Sequence, residues 1–165
     1  MGSSPDPISV AVALGSNLGD RETHLHKAVY ALALLLDGIA VSSYYDTDPV
    51  GVDGDQPMFL NAAATGQTTL GAQELLDALL AIEAKLGRTR PFSGAPRTVD
   101  LDLILYGDGV ISTPALTVPH PRFREREFVL APLAEVASDW IDPVSGRTVG
   151  ELLSIVRTSP RAKGI

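Results

Sequence analysis

Residues 96–106, PRTVDLDLILY, carry the pattern that decides the fold of this chain. Side chains of a β-strand alternate between its two faces, so the apolar set and the acidic pair are expected on opposite faces. The apolar set is Val99, Leu101, Leu103 and Leu105, and the acidic pair is Asp100 and Asp102. The stretch therefore predicts a half-buried strand that presents two carboxylates side by side, with their Cα atoms about 7 Å apart.

The acidic pair has two interpretations. Neighbouring carboxylates repel each other unless a cation lies between them, and Mg²⁺ is usually held by one or two carboxylates together with substrate phosphates. A solvated strand face is the simpler explanation for an Asp-x-Asp pair taken alone. The pattern by itself leaves both interpretations open.

The composition indicates a single globular domain with a small anionic ligand. The 165 residues are 45% hydrophobic, which is enough for one buried core. No apolar run is long enough to span a membrane, and the lack of cysteine excludes disulfides and thiolate metal sites. The net charge of −7 disfavours a nucleic-acid partner. The arginines nevertheless cluster within residues 88–97 and 122–126, as expected for a site that binds a small anion.

Hydrophobic periodicity and turn residues predict alternating strands and helices. Strands are predicted at 8–14, 39–45 and 59–67, at the Asp-x-Asp stretch and briefly near 110–111; helices are predicted at 21–36, 70–86, 128–137 and 149–156. The order βαββαβ predicts an α+β fold with an antiparallel or mixed sheet. We expect one domain over 8–157, with flexible tails at 1–7 and 158–165.

The segment GSNLGD at 15–20 joins the first predicted strand to the first helix. Backbone N–H groups at such a junction can hold an anion. Asn17 and Asp20 are also typical turn and N-cap residues, and the sequence favours this structural role. No Gly-x-x-x-x-Gly-Lys-Ser/Thr motif occurs, which excludes a P-loop enzyme.

Six segments, in order, closely resemble the 6-hydroxymethyl-7,8-dihydropterin pyrophosphokinase family of folate enzymes. They are GSNLGDR (15–21), SSYYDTDPVG (42–51), DQPMFLNAA (55–63), GRTR (87–90), PRTVDLDLILYG (96–107) and LTVPHPRFREREFVLAPL (116–133). The resemblance implies a ferredoxin-like fold with helices on both faces of the sheet, in three αβα layers. It also implies transfer of a pyrophosphoryl group from MgATP to the pterin hydroxymethyl group, with AMP as the second product.

The resemblance assigns roles to individual residues. The implied catalytic group is Arg88, Arg97, Asp100 and Asp102, in which the two aspartates bind two Mg²⁺ ions. The implied ATP contacts are Glu83, Arg88, Arg90, Arg97, Leu103, Thr117, His120 and Arg126. Guanidinium groups bind phosphate oxygens in pairs, although surface salt bridges would also explain isolated arginines. A loop that contains Arg88 and Arg97 could close over ATP and exclude water.

The implied pterin site is Thr47, Val50, Phe59, Asn61 and Phe128. Aromatic faces stack on a flat pterin ring, and one amide can both donate and accept hydrogen bonds at its edge. Core packing would explain Phe59 and Phe128 on their own, but it would not explain Asn61, because a buried amide needs partners.

A non-catalytic pterin- or nucleotide-binding module on the same fold is the alternative function. Such a module would not need the acidic pair together with Arg88 and Arg97, so the sequence favours the enzyme. We expect a cytoplasmic monomer whose partners are ATP and the pterin, with no nucleic acid and no membrane.

Overall fold

The computed structural model describes residues 6–17, 19–47, 59–87 and 98–158. Its strands are β1 (Ile8–Ser16), β2 (Asp37–Val41), β3 (Tyr45–Thr47), β4 (Phe59–Thr68), β5 (Asp100–Tyr106), β6 (Ile111–Ser112) and β7 (Thr117–Val118). Its helices are α1 (Arg21–Leu35), α2 (Ala72–Leu86), α3 (Glu127–Ala137) and α4 (Val149–Thr158), with a 3₁₀ turn at Phe123–Glu125. Among these helices none has both the length and the apolar character needed to cross a membrane.

The main sheet has the strand order β2-β4-β1-β5, and β3 also pairs with β4. Every described pairing in this sheet is antiparallel. Strand β4 is inserted between β1 and β2, which is the split βαβ arrangement of a ferredoxin-like fold. The predicted α+β class is therefore confirmed, and the sheet is antiparallel.

Two apolar clusters lie on opposite faces of the sheet. One cluster includes Val10, Val12, Leu14, Leu25, Leu32, Leu75 and Leu79, so α1 and α2 cover that face. The other includes Ala11, Ala13, Ala63, Phe123, Leu130, Leu133 and Leu152, so α3 and α4 cover the opposite face. Each fully buried leucine stabilises the fold by about 1.5–3 kcal/mol. Alternate residues of β1 enter different clusters, which confirms the three αβα layers.

Strand β5 departs from strict alternation at Ile104. Ala11 pairs with Leu105 and Val12 pairs with Leu103, so Ile104 is an extra residue, as in a β-bulge. Leu103 lies in the α1–α2 cluster as predicted, whereas Leu105 joins the α3–α4 cluster beside Ile104. The prediction that Leu105 shares a face with Leu103 is wrong, because the bulge turns the strand.

The second predicted strand, 39–45, is two strands in the structure. β2 ends at Val41 and β3 begins at Tyr45, so residues 42–44 separate the two strands. The Ser42 hydroxyl accepts the Ala63 N–H at 2.9 Å and donates to the Ser43 carbonyl at 2.7 Å. This serine side chain takes the place of a ladder carbonyl, as serine hydroxyls often do, and so interrupts the strand.

The GSNLGD segment ends in a helix cap. Asp20 accepts hydrogen bonds from the Thr23 N–H at 3.1 Å and from the Thr23 hydroxyl at 2.8 Å. Gly19 supplies a φ of +62°, which most residues avoid. The predicted N-cap role of Asp20 is confirmed.

The loop between α3 and α4 is organised by Asp142, whose side chain is fully buried. Its carboxylate accepts five hydrogen bonds: two from Arg124, two from Ser145 and one from the Val144 N–H. Burial alone would raise the pKa of this carboxyl, but the hydrogen bonds from Arg124, Ser145 and Val144 outweigh it and lower the pKa to about 2. Asp142 is therefore ionised in the folded protein at any pH near neutrality.

This shift predicts a specific loss of stability in acid. The folded-state pKa lies below the reference value of 3.8, so the contribution of Asp142 is complete well above pH 3.8 and is lost as the pH falls towards 2. It amounts to about 2 kcal/mol. The Tm of the unmodified protein should fall over this range, and Asp142→Asn should make that fall shallower. The same substitution at the exposed Asp139 is the control; a fall of equal size in all three proteins would contradict the prediction.

Candidate active site

Four residues from four strands form a row across the α3–α4 face of the sheet. Tyr45 pairs with Asn61, Asn61 pairs with Gly15, and Gly15 pairs with Asp100. Neighbouring strands are about 4.8 Å apart, so the backbones at Asn61 and Asp100 are about 10 Å apart. The predicted pterin reader and the predicted metal ligand therefore face the same side of the sheet, separated only by a glycine.

The acidic pair lies at the edge of this sheet. Asp102 pairs with Ala13 and lies two residues from Asp100 along β5, so both carboxylates project from the same face of the sheet. Asp102 is exposed and Asp100 is half-buried. Leu101, between them, donates its N–H to a Glu83 carboxylate oxygen on α2 at 2.6 Å. Glu83 thus ties the strand that carries both aspartates to the neighbouring helix.

Asn61 is held in place by residues on both sides. Its side-chain amide donates to the Thr47 hydroxyl, and Thr47 itself is paired with Phe59 across the β3–β4 ladder. The residue is only 7% exposed. A Cβ atom added at Gly15 would lie 3.0 Å from Asn61 Oδ1 and 3.8 Å from the Phe59 ring. Gly15 therefore leaves the space into which Asn61 and Phe59 extend.

This close approach predicts the effect of Gly15→Ala. The added methyl group should displace the Asn61 amide, and the pterin Kd should rise about tenfold, while the affinity for an ATP analogue stays unchanged. Titration calorimetry with each ligand would measure both. The effect should vanish when Asn61 is already alanine, as a double-mutant cycle can test; an equal effect in both backgrounds would contradict the mechanism.

His120 and Arg126 lie beside the acidic pair and the predicted pterin wall. The Arg126 guanidinium lies 5.6 Å from the centre of the Phe128 ring, a cation–π distance. Burial of the ring is the main cause that lowers the pKa of His120. The Asp102 carboxylate opposes this shift, and the Arg126 and Arg122 guanidinium groups reinforce it. A cation thus lies over one side of the Phe128 ring.

The tautomer of His120 follows from its contacts. The Arg122 N–H donates to His120 Nδ1 at 3.1 Å, so the proton of the neutral ring is on Nε2. The lowered pKa favours this neutral ring near pH 7. His120 can therefore donate one hydrogen bond from Nε2 to a phosphate oxygen.

The other predicted contacts are distributed around this edge. Thr117 is exposed on β7, next to β5. Leu103 is only 4% exposed and belongs to the α1–α2 core, on the face of the sheet opposite to the acidic pair. The remaining predicted residues, Val50, Arg88, Arg90 and Arg97, lie outside the described residues.

The residue pattern did not indicate several residues that support this site. The sequence pattern places Gly15 in a turn, although a glycine at the penultimate position of a buried strand is a signal of close packing. Glu135 of α3 accepts hydrogen bonds from the Tyr45 hydroxyl and from the N–H and hydroxyl of Ser43. These bonds fasten the β3 end of the row to α3. The partners are about 90 residues apart in the chain, and no local pattern reports such a pairing.

The acidic pair fits magnesium better than a metal held by protein alone. Within the described ranges, no three acidic, histidine or cysteine side chains come together as a metal site. Two carboxylates on one face, with open solvent at Asp102, match the way Mg²⁺ is held jointly by protein and phosphate oxygens. Asp100 and Asp102 are the residues that would hold it.

Three curated relatives are similar over most of the chain. All are named 2-amino-4-hydroxy-6-hydroxymethyldihydropteridine pyrophosphokinase. The Bacillus subtilis protein is 53% identical over 130 residues, which cover 76% of this chain and 75% of that protein. Those from Synechocystis and Pseudomonas aeruginosa are 46% and 44% identical, over 88% of this chain and 74% and 90% of their own lengths.

A solved structure supports the fold. The crystal structure of wild-type Plasmodium falciparum HPPK-DHPS matches with a TM-score of 0.74 at 13% identity, over 99% of this chain. The chain spans only about half of that longer protein, 47% of its length. At this identity the likeness shows the fold alone.

The family itself is shown by sequence. Residues 11–138 match the model of the family described as 7,8-dihydro-6-hydroxymethylpterin-pyrophosphokinase. The matched range contains the cross-strand row from Gly15 to Asp100, the acidic pair and the segment with His120 and Arg126. The chain therefore belongs to the 7,8-dihydro-6-hydroxymethylpterin-pyrophosphokinase family.

Proposed function

We propose that this protein transfers the pyrophosphoryl group of MgATP to the hydroxymethyl oxygen of 6-hydroxymethyl-7,8-dihydropterin, with release of AMP, in folate synthesis. The observation that carries the proposal is the row across the sheet. It presents a buried amide, Asn61, and a carboxylate, Asp100, on one face about 10 Å apart. A flat pterin ring that is hydrogen-bonded to Asn61 would extend its hydroxymethyl group towards the acidic pair.

The pterin is proposed to lie between Phe59 and Phe128, with its edge at Asn61. The Thr47 hydroxyl orients the Asn61 amide, and Val50 is expected to complete the same edge. Because Arg126 covers one side of the Phe128 ring, stacking would use the other side. In this arrangement the Arg126 guanidinium would lie close to the bound pterin and could stabilise phosphate charge.

The reaction forms a bond from the hydroxymethyl oxygen to the β-phosphorus and breaks the bond between that phosphorus and the oxygen retained by AMP. Such transfers depend on positioning and charge stabilisation more than on a protein nucleophile. Arg126 and the Nε2–H of His120 would bind phosphate oxygens. Arg88, Arg90 and Arg97 are proposed to do the same, and Thr117 and Leu103 to contact the nucleoside.

Asp100 and Asp102 are proposed to hold two Mg²⁺ ions. Bound there, the metal would neutralise phosphate charge and polarise the attacking hydroxyl group. Glu83 keeps the two aspartates in place through its bond to the Leu101 N–H, and it is also proposed to lie near the nucleotide.

The decisive assay measures AMP formation from ATP, Mg²⁺ and 6-hydroxymethyl-7,8-dihydropterin. AMP should appear only when all three are present, and omission of the pterin or addition of EDTA should abolish it. A protein that binds the pterin but forms no AMP would be the non-catalytic module instead.

Other properties stay predictions. We propose a monomer with a single domain over 8–157, working in the cytoplasm without nucleic acid or membrane. Sedimentation in the presence and absence of both substrates would test the monomer, and a dimer in either state would contradict it.

A further inference from the structure

The segment from His120 to Arg126 is one continuous hydrogen-bonded unit. The His120 N–H donates to the Ile104 carbonyl of β5 at 3.0 Å. The Phe123 N–H then donates to the His120 carbonyl at 3.4 Å, and the Arg126 N–H donates to the Phe123 carbonyl at 3.2 Å. Leu130 continues the series into α3 by donating to the Arg126 carbonyl at 3.0 Å. A displacement in the middle of the segment would therefore move both proposed phosphate contacts.

The middle of the segment is held at two points. Phe123 is fully buried in the α3–α4 cluster. Arg124, the next residue, makes a two-bond ion pair with Asp142, from Nε to Oδ2 at 2.5 Å and from Nη2 to Oδ1 at 2.9 Å. Its guanidinium also lies 4.9 Å from the centre of the Phe123 ring. Arg124 is thus turned into the protein, although the arginines two residues before and after it flank the site.

We propose that the Arg124–Asp142 ion pair is a positioning device for ATP, because it fixes the segment from which His120 and Arg126 reach the phosphates. The inference rests on the proposed function of those two residues. Asp142 is suited to this task because its own loop holds it with three further hydrogen bonds, from Val144 and Ser145. The pair therefore connects the segment that carries His120 and Arg126 to a loop that is itself hydrogen-bonded around Asp142.

The ion pair is expected to affect the binding of ATP and of the pterin differently. The pterin edge at Asn61 and Thr47 belongs to β3 and β4, which share no bond with the segment. Phe128 lies two residues beyond the segment, on a helix that is also anchored in the α3–α4 core by Val129, Leu130 and Leu133. Loss of the ion pair should therefore weaken ATP binding much more than pterin binding.

The test compares Arg124→Lys with the unmodified protein. Lysine keeps the positive charge but cannot make the two-bond fork of arginine. The Kd for a non-hydrolysable ATP analogue with Mg²⁺ and the Kd for the pterin would be measured separately, well below the Tm of each variant. The analogue Kd should rise about tenfold, and the pterin Kd should stay within about twofold. Asp142→Asn should act in the same direction.

Ser145→Ala is the matched control. It removes the hydroxyl bond to Asp142 but keeps the Ser145 N–H bond and both bonds from Arg124, so it should lower the Tm without changing the analogue Kd. NMR adds a second readout, because the chain has only three histidines. The ring signal of His120 should move in Arg124→Lys, and those of His24 and His26 should not.

The outcomes are distinct. Equal weakening of both ligands, or no change for the analogue, would overturn the positioning role. If the unmodified protein forms no AMP, the proposed function fails instead. If AMP forms normally and Arg124→Lys binds the analogue as the unmodified protein does, only the present inference fails.

Discussion

Replacing Asp102 with alanine should reduce the rate of AMP formation about a thousandfold or more. Asp102 and Asp100 leave the same face of β5, and Asp102 is the exposed member of the pair. Without its carboxylate, Mg²⁺ loses a proposed ligand and the charge of the triphosphate is left poorly compensated. The pterin contacts at Asn61 are on another strand, so the pterin Kd should change little.

A control must separate this effect from a general change in charge. Asp108 is exposed in the turn that follows β5, and Asp108→Ala removes the same charge from the far end of that strand. It should leave turnover near normal. Raising the Mg²⁺ concentration should partly restore Asp102→Ala if its defect is metal affinity. Near-normal turnover of Asp102→Ala would refute the metal assignment.

Replacing Asn61 with alanine should raise the pterin Kd about a hundredfold. The pterin edge would lose a hydrogen-bonding partner, and polar groups on the bound ring would be left unpaired. Thr47 would also lose the amide that donates to its hydroxyl. Binding of an ATP analogue should be unaffected, because Asn61 lies two strands away from β5.

The comparison for Asn61 is Thr65→Val. Thr65 is buried four residues further along the same strand and on the same face. Its substitution tests whether any change to this strand weakens the binding of the pterin. Calorimetric titration with the pterin should give a near-normal Kd for Thr65→Val and a strongly raised one for Asn61→Ala. Similar Kd values for the two variants would mean that Asn61 does not bind the pterin ring.

The sequence was enough to predict most of the elements and to propose the chemistry they carry. Strict alternation around Asp100 and Asp102 was enough to place both on one face, because the side-chain period of a strand is a local property. The spacing of apolar residues in the helices was enough to predict their extents within a few residues. The six family segments then predicted the ferredoxin-like arrangement and the reaction.

Tertiary structure alone decided how these elements meet. The bulge at Ile104 moved Leu105 to the other face, because register with β1 sets the position of each side chain after it. The place of Gly15 beneath Asn61 depends on the pairing of β1 with β4.

The Arg124–Asp142 pair is a second contact that the sequence pattern could not predict. The two residues are 18 positions apart, and nothing in either local pattern links them. Periodicity reports which face a residue occupies, whereas contacts between elements depend on the packing of the whole chain. The sequence therefore predicted which side chains would carry the chemistry, and the fold decided which neighbours hold them in place.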